Sequence, residues 1–246
     1  MKITSVNNEL IKETAKLLQK KYRDETGLFI IEGSKGSNEA IEAGLDIKQI
    51  FVLEPSAKYT GLNQTEVSEA VMSKITDAKT PPKVAAVAKQ PGHALEELKS
   101  LKRIALFEGI KDPGNLGTIL RTSAAFEIEG IILYGDTVDV YNPKCVRSAV
   151  GNLWKTKVFE IKDFAKLETN FKDFQRIATL PTAEAIPLNK FTPKDKILVM
   201  FGSEANGLSE ELKEFATDKI TIEMSDKVES LNLSISAGII LYKIYK

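Results

Sequence analysis

The chain has 246 residues, enough for one large or two modest domains with real cores. Its 34 Lys and Arg residues balance 34 Asp and Glu, so net charge carries no nucleic-acid signal and any basic surface must be local. A single cysteine, Cys145, excludes an intrachain disulfide, no window approaches the ~18 apolar residues of a membrane span, and the first residues carry no apolar signal segment, so the chain reads as a soluble cytoplasmic protein with no membrane partner.

In chain order, residues 9–23 read as one amphipathic helix. Ile11, Ala15, Leu18 and Tyr22 share a face, and Lys12, Lys16, Lys20 and Arg23 form a basic stripe on another. Short apolar runs at 28–31 and 47–53 flank a helix around Glu39–Ala43. A further helix near Glu66–Lys74 precedes a strand over Val84–Ala88. Gln90-Pro91-Gly92 breaks the pattern and a charged segment follows. The expected organisation is therefore a domain over 1–92, a linker over 93–102 and a second domain over 103–246. In the second, candidate strands at Ile104–Phe107, Gly130–Leu133, Arg176–Thr179, Ile197–Phe201 and Lys219–Ile222 alternate with helical stretches near Thr118–Phe126, Pro143–Val150, Glu210–Phe215 and Ser230–Tyr245. Such alternation predicts an α/β fold with a mostly parallel sheet covered by helices.

Three motifs put Gly, Asn or Ser beside apolar runs, where core packing alone would not ask for them. In the first, Lys111–Thr122, a strand ends near Glu108, Pro113-Gly114 turns the chain, and Gly117-Thr118 opens a helix carrying Arg121. Free N–H groups at a helix start beyond a strand's carboxyl end favour anionic ligands; alternatively, Asn115 merely caps the turn and Arg121 is solvated. In the second, Phe201–Ser209, the spacing nearly spells a P-loop, but Leu208 stands where its lysine must be, so an NTPase is disfavoured. Gly202 and Gly207 instead point to a close backbone approach, with Glu204 an acid in a cleft or a solvated loop residue. In the third, Glu229–Ser234, Ser230 sits where a helix cap would, whereas capping explains Asn232 and Ser234 less readily.

In this order the motifs resemble those of the SpoU/TrmH family of RNA ribose 2′-O-methyltransferases, in the SPOUT superfamily. The likeness extends over essentially the whole chain: 143–151 matches the catalytic part, and 20–23, 27–33 and 40–41 match an N-terminal substrate-binding domain that resembles a ribosomal-protein RNA-binding fold. The resemblance implies a small N-terminal α/β domain, a parallel-sheet domain with a deep trefoil knot, and a homodimer whose subunits complete each site. It implies S-adenosyl-L-methionine as cofactor, held by Leu180, Gly202, Ile222 and Leu231, and catalysis by Asn115, Arg121, Glu204, Ser230 and Asn232. The family proposal makes the arginine matching Arg121 the acceptor of the ribose proton; a phosphate clamp, with the proton passing to water or Glu204, is the alternative. Two positions depart from the common pattern: Glu223, where many members have Pro, and Ser236, where many have Ala.

The implied reaction is methyl transfer to a ribose 2′-hydroxyl, with ribosomal RNA the expected substrate and transfer RNA the alternative. A different class, an RNA-binding or ribosome-assembly factor that no longer turns over, competes with it. Lys12, Lys16, Lys20 and Arg23 are candidate RNA contacts or a solvated face. His93 reads as solvated, Trp154 as core or subunit interface, and Cys145, lacking a partner at ligand spacing, as structural, so no metal site is expected.

Overall fold

The computed structural model describes residues 2–182, 184–225 and 227–245. The N-terminal stretch forms two helices, α1 (Glu9–Lys16) and α2 (Lys20–Thr26), where one was expected; Gln19, with φ −101° and ψ 134°, is extended and breaks the helix between them. Then come β1 (Leu28–Glu32), α3 (Ser34–Glu42), β2 (Ile47–Val52), β3 (Gln64–Glu66), α4 (Glu69–Ile75) and β4 (Val84–Lys89). β4 lies inside a four-stranded sheet, between β1 and β2 and antiparallel to both, which is why Val84–Ala88 is apolar without alternation. Ile11, Ile30, Phe51, Val71 and Met72 meet in the core beneath it.

The remainder forms β5 (Arg103–Glu108), α5 (Pro113–Ala125), β6 (Gly130–Tyr134), α6 (Pro143–Ala149), β7 (Lys157–Ile161), α7 (Phe164–Phe171), β8 (Gln175–Thr179), β9 (Ile186–Pro187), β10 (Ile197–Phe201), α8 (Glu210–Phe215), β11 (Asp218–Thr221) and α9 (Leu233–Tyr245). Seven strands make one parallel sheet in the order β7-β6-β5-β10-β8-β11-β9. β6 and β10 are buried along their whole length, the pattern of strands covered on both faces. The five expected strands are present; β7 and β9, at the two edges, lack the apolar runs of β5, β6 and β10.

Two compact units divide the chain. Residues 1–92 associate with 139–154, and 93–138 with 155–246. In the first unit, Asn142 caps α6 and Pro143 opens it. The fully enclosed Arg23 donates from Nε to Asp139 Oδ2 (2.8 Å) and from Nη1 to the Leu17 carbonyl (2.8 Å). Arg147 donates to Glu32 (2.7 Å) and Asp77 (3.0 Å). In the second unit, 93–102 is more than a connecting stretch: residues 95–100 wind into a 3₁₀ turn that buries Leu98, and Leu101 follows it into the core.

Candidate active site

The site is built at the carboxyl ends of parallel strands in the second unit, where open α/β sheets bind ligands. A cavity of about 370 Å³ is lined there by residues closing β8 (Thr179, Leu180, Pro181), β10 (Phe201, Gly202, Ser203, Glu204, Gly207) and β11 (Ile220, Thr221, Ile222), and by the segment leading into α9. The volume falls within the range of small-molecule sites, and the wall is mostly apolar with a few convergent hydroxyls and amides. Glu204 is the one ionisable side chain among the described residues that line it.

Three local structures position the polar groups. Asp112 caps α5, its carboxylate accepting the Asn115 N–H at 2.8 Å, and Pro113 occupies the first helical position, where its missing N–H costs nothing. The helix therefore opens at Pro113, four residues before the expected start at Gly117. Because Asp112 is the cap, the Asn115 side chain is released for the site. After β10 the chain closes a tight loop in which Ser203 and Gly207 exchange backbone hydrogen bonds (3.1 and 3.0 Å). A Cβ at Gly202 would run into the Gly207 carbonyl carbon and the Leu208 nitrogen, and Gly207, at φ +66°, takes a left-handed conformation that suits glycine. The close approach expected there is to this chain's own loop.

The entrance to α9 corrects a further expectation. Ser230 does not cap it. Asn232 does: its carbonyl accepts the Ile235 and Ser236 N–H groups (3.0 Å each) and its side-chain oxygen accepts the Ser234 N–H at 2.9 Å. Its Nδ2 donates to Asn115 Oδ1 (3.1 Å), and Asn115 Nδ2 donates to Glu204 Oε1 (2.6 Å). Residues from all three motifs thus share one hydrogen-bonded chain at the cavity. Ser230 is exposed on the cavity wall, and Leu180, Gly202, Ile222 and Leu231 all line the cavity.

Arg121 stands apart. Six residues beyond Asn115, it lies about 9 Å further along α5 and on a different face, and it is exposed and absent from the cavity lining. The N-terminal stripe also changes: Arg23 is buried in its ion pair with Asp139 and leaves the exposed face. Lys12, Lys16 and Lys20 remain exposed, beside Glu9 (3.8 Å), Glu13 (2.6 Å) and Asp24 (2.8 Å). Sequence reasoning passed over Asp112, although Asp-Pro at a helix start is a readable signal, and Thr179, a cavity residue whose position carries no such mark; Ser236, noted only as a departure from the family pattern, also lines the cavity.

The family model of the SpoU rRNA Methylase family matches residues 102–242, more than half of the chain and all of the residues that line the cavity. The chain belongs to the SpoU rRNA methylase family. Residues 8–86 match an MRM3-like substrate binding domain, in the first unit. Among relatives of this SpoU chain, the 23S rRNA (guanosine(2553)-2′-O)-methyltransferase RlmP of Bacillus subtilis is 28% identical, over 98% of this chain and 97% of its own length. An uncharacterized tRNA/rRNA methyltransferase from Synechocystis sp. is 32% identical over 98% and 92%. The crystal structure of an AdoMet-bound rRNA methyltransferase from Sinorhizobium meliloti superposes with a TM-score of 0.89 at 29% identity, covering 99% of this SpoU chain and 97% of the other.

Proposed function

We propose that this protein transfers a methyl group from S-adenosylmethionine to a ribose 2′-hydroxyl of ribosomal RNA. The observation that carries the reading is the hydrogen-bonded chain Glu204–Asn115–Asn232, drawn from all three motifs, whose two ends line a largely apolar cavity. The cavity suits the cofactor's mixed chemistry: apolar walls at Leu180, Ile222 and Leu231 for a flat base, and hydroxyls and a carboxylate for the amino-acid end. Leu180, Gly202, Ile222 and Leu231 would hold the cofactor, which supplies an electrophilic methyl group when bound. Catalysis by the chain is then mainly positioning. Asn115 and Asn232 hold the Glu204 carboxylate in place, and Ser230 and Asn232 offer donors and acceptors to a ribose edge.

A homodimer belongs to this reading. Ile235, Ile239, Tyr242 and Tyr245 follow one another at helical spacing on α9 and are 53%, 39%, 45% and 40% exposed, an apolar face suited to a second copy. Arg121, outside its own cavity, would complete the partner's site, clamping RNA phosphate or taking the ribose proton. Loss of a guanidinium proton needs a strong local perturbation, and a neighbouring sulfonium acts in that direction. The deep trefoil threading is part of the same proposal, supported by the insertion of β10 between β5 and β8 and by the packing of α9 on α5. No helix among the described residues is long and apolar enough to cross a membrane, and we place the enzyme in the cytoplasm with its RNA.

The test is transfer of labelled methyl from S-adenosylmethionine to total RNA from cells lacking the gene, resolved by size and digested to nucleosides. A 2′-O-methylnucleoside in ribosomal RNA supports the proposal, and one in transfer RNA redirects the substrate. Absence of both label and cofactor binding overturns it in favour of an RNA-binding assembly factor.

A further inference from the structure

Ser234, in the first turn of α9, is not among the residues that line the cavity, yet it is bonded to the polar chain beside it. It is 8% exposed and sends two donors to a single atom: its backbone N–H reaches Asn232 Oδ1 at 2.9 Å and its hydroxyl reaches the same oxygen at 2.6 Å. A backbone N–H can only donate, so the atom facing Ser234 must be the amide oxygen. The Asn232 NH₂ then faces Asn115, whose contacting atom must in turn be oxygen, and the Asn115 NH₂ is left for Glu204. Both asparagines thus have one satisfiable orientation, dictated from Ser234 outward.

The two donors from Ser234 divide the labour. The backbone donor sets the polarity of the relay, and its bond to the Asn232 oxygen is the cap of α9. The hydroxyl is not needed for the cap; it adds a second, shorter hold that fixes the plane of the Asn232 amide. Hydrogen bonds aligned head to tail reinforce one another, so the hold is felt at the far end. Resting on the methyl-transfer reading above, we propose that Ser234 is a positioning residue: through Asn232 and Asn115 its hydroxyl keeps the Glu204 carboxylate aimed at the cavity.

The experiment compares wild type, Ser234→Ala, Ser234→Thr, Glu204→Gln and the double variant Ser234→Ala/Glu204→Gln in the full-length protein. Ser234→Ala keeps the backbone donor and hence the cap. Its turnover is expected to fall about tenfold, the loss of one buried hydrogen bond expressed in a rate, with cofactor affinity unchanged and partial rescue by Ser234→Thr. In the Glu204→Gln background, followed under single-turnover conditions, the same change should cost nothing further, because the relay no longer ends on a carboxylate. A readout independent of activity is the side-chain amide NMR signals. Ser234→Ala should move the Asn115 NH₂ resonances as well as those of Asn232. Additive losses in the double variant, a loss that tracks unfolding or cofactor affinity, or an unmoved Asn115 signal would each overturn the proposal. A wild type that transfers no methyl overturns the function proposed above, while the Asn115 signal still decides the relay.

Discussion

Gly202 packs against backbone, not against a flexible side-chain tip, so the loop cannot yield cheaply to a larger residue. Gly202→Ala should cost about 1–3 kcal/mol of stability by overpacking. The same displacement, at the centre of the cavity wall, should weaken S-adenosylmethionine binding at least about tenfold; a denaturant midpoint and a cofactor titration measure the two effects. Arg121 calls for the opposite pattern. Lying outside the cavity lining, it should be dispensable for holding the cofactor but required for turnover. Arg121→Lys keeps the charge and loses the planar fork. It should lower turnover about a hundredfold or more, the scale of a lost proton-transfer or clamping group, with cofactor affinity within about twofold. Substantial residual turnover would remove Arg121 from the chemistry. At this scale Asn115, Glu204 and Asn232 stand out beside apolar runs, and the structure joins them by hydrogen bonds, but only the family resemblance, not the residues themselves, gave them a catalytic part. The chain was not readable where two residues compete for one role. Asp112 and Asn115 could each cap α5, and Ser230 and Asn232 could each cap α9; only the backbone path decides between them.

At the level of elements, the expected single helix over 9–23 divides because residues 17–19 turn Arg23 inward to meet Asp139. Periodicity cannot foresee this, since the partner lies 116 positions away. Arg23→Ala leaves Asp139, 9% exposed, as an unpaired buried carboxylate. The expected cost is about 3–5 kcal/mol, seen as a drop in urea midpoint. The remaining exposed lysines are a separate matter. Each sits beside an acid, and such pairs contribute little to stability, so they stay available to an RNA backbone. Replacing Lys12, Lys16 and Lys20 together with Ala should leave the fold unchanged and flatten the salt dependence of RNA binding by a slope of about 2–3. An unaltered slope would make them an ordinary solvated face.

For the whole molecule, the parallel sheet was legible because its central strands β5, β6 and β10 carry apolar runs, whereas the edge strands β7 and β9, less enclosed, announce themselves weakly. The order in which the chain visits the strands leaves no mark on periodicity. In the homodimer proposed above, subunit pairing would rest on the apolar face of α9. Ile239→Arg places a charge in that face and should shift the sedimentation mass from dimer to monomer, with activity falling in parallel if Arg121 serves the neighbouring subunit. A monomeric wild type would sink the shared-site reading. The division of the chain has a practical corollary for anyone wishing to dissect or recombine this protein. Because residues 139–154 associate with 1–92 while β6 and β7, on either side of them, pair with each other in the other unit's sheet, the polypeptide enters the first unit twice. A cut at Gly92, the natural place to excise a module from the sequence, would deprive the N-terminal fragment of Asp139 and Arg147, and would leave the catalytic fragment carrying an orphaned excursion. Grafting this substrate-binding module onto another enzyme therefore means transplanting two pieces of chain, not one.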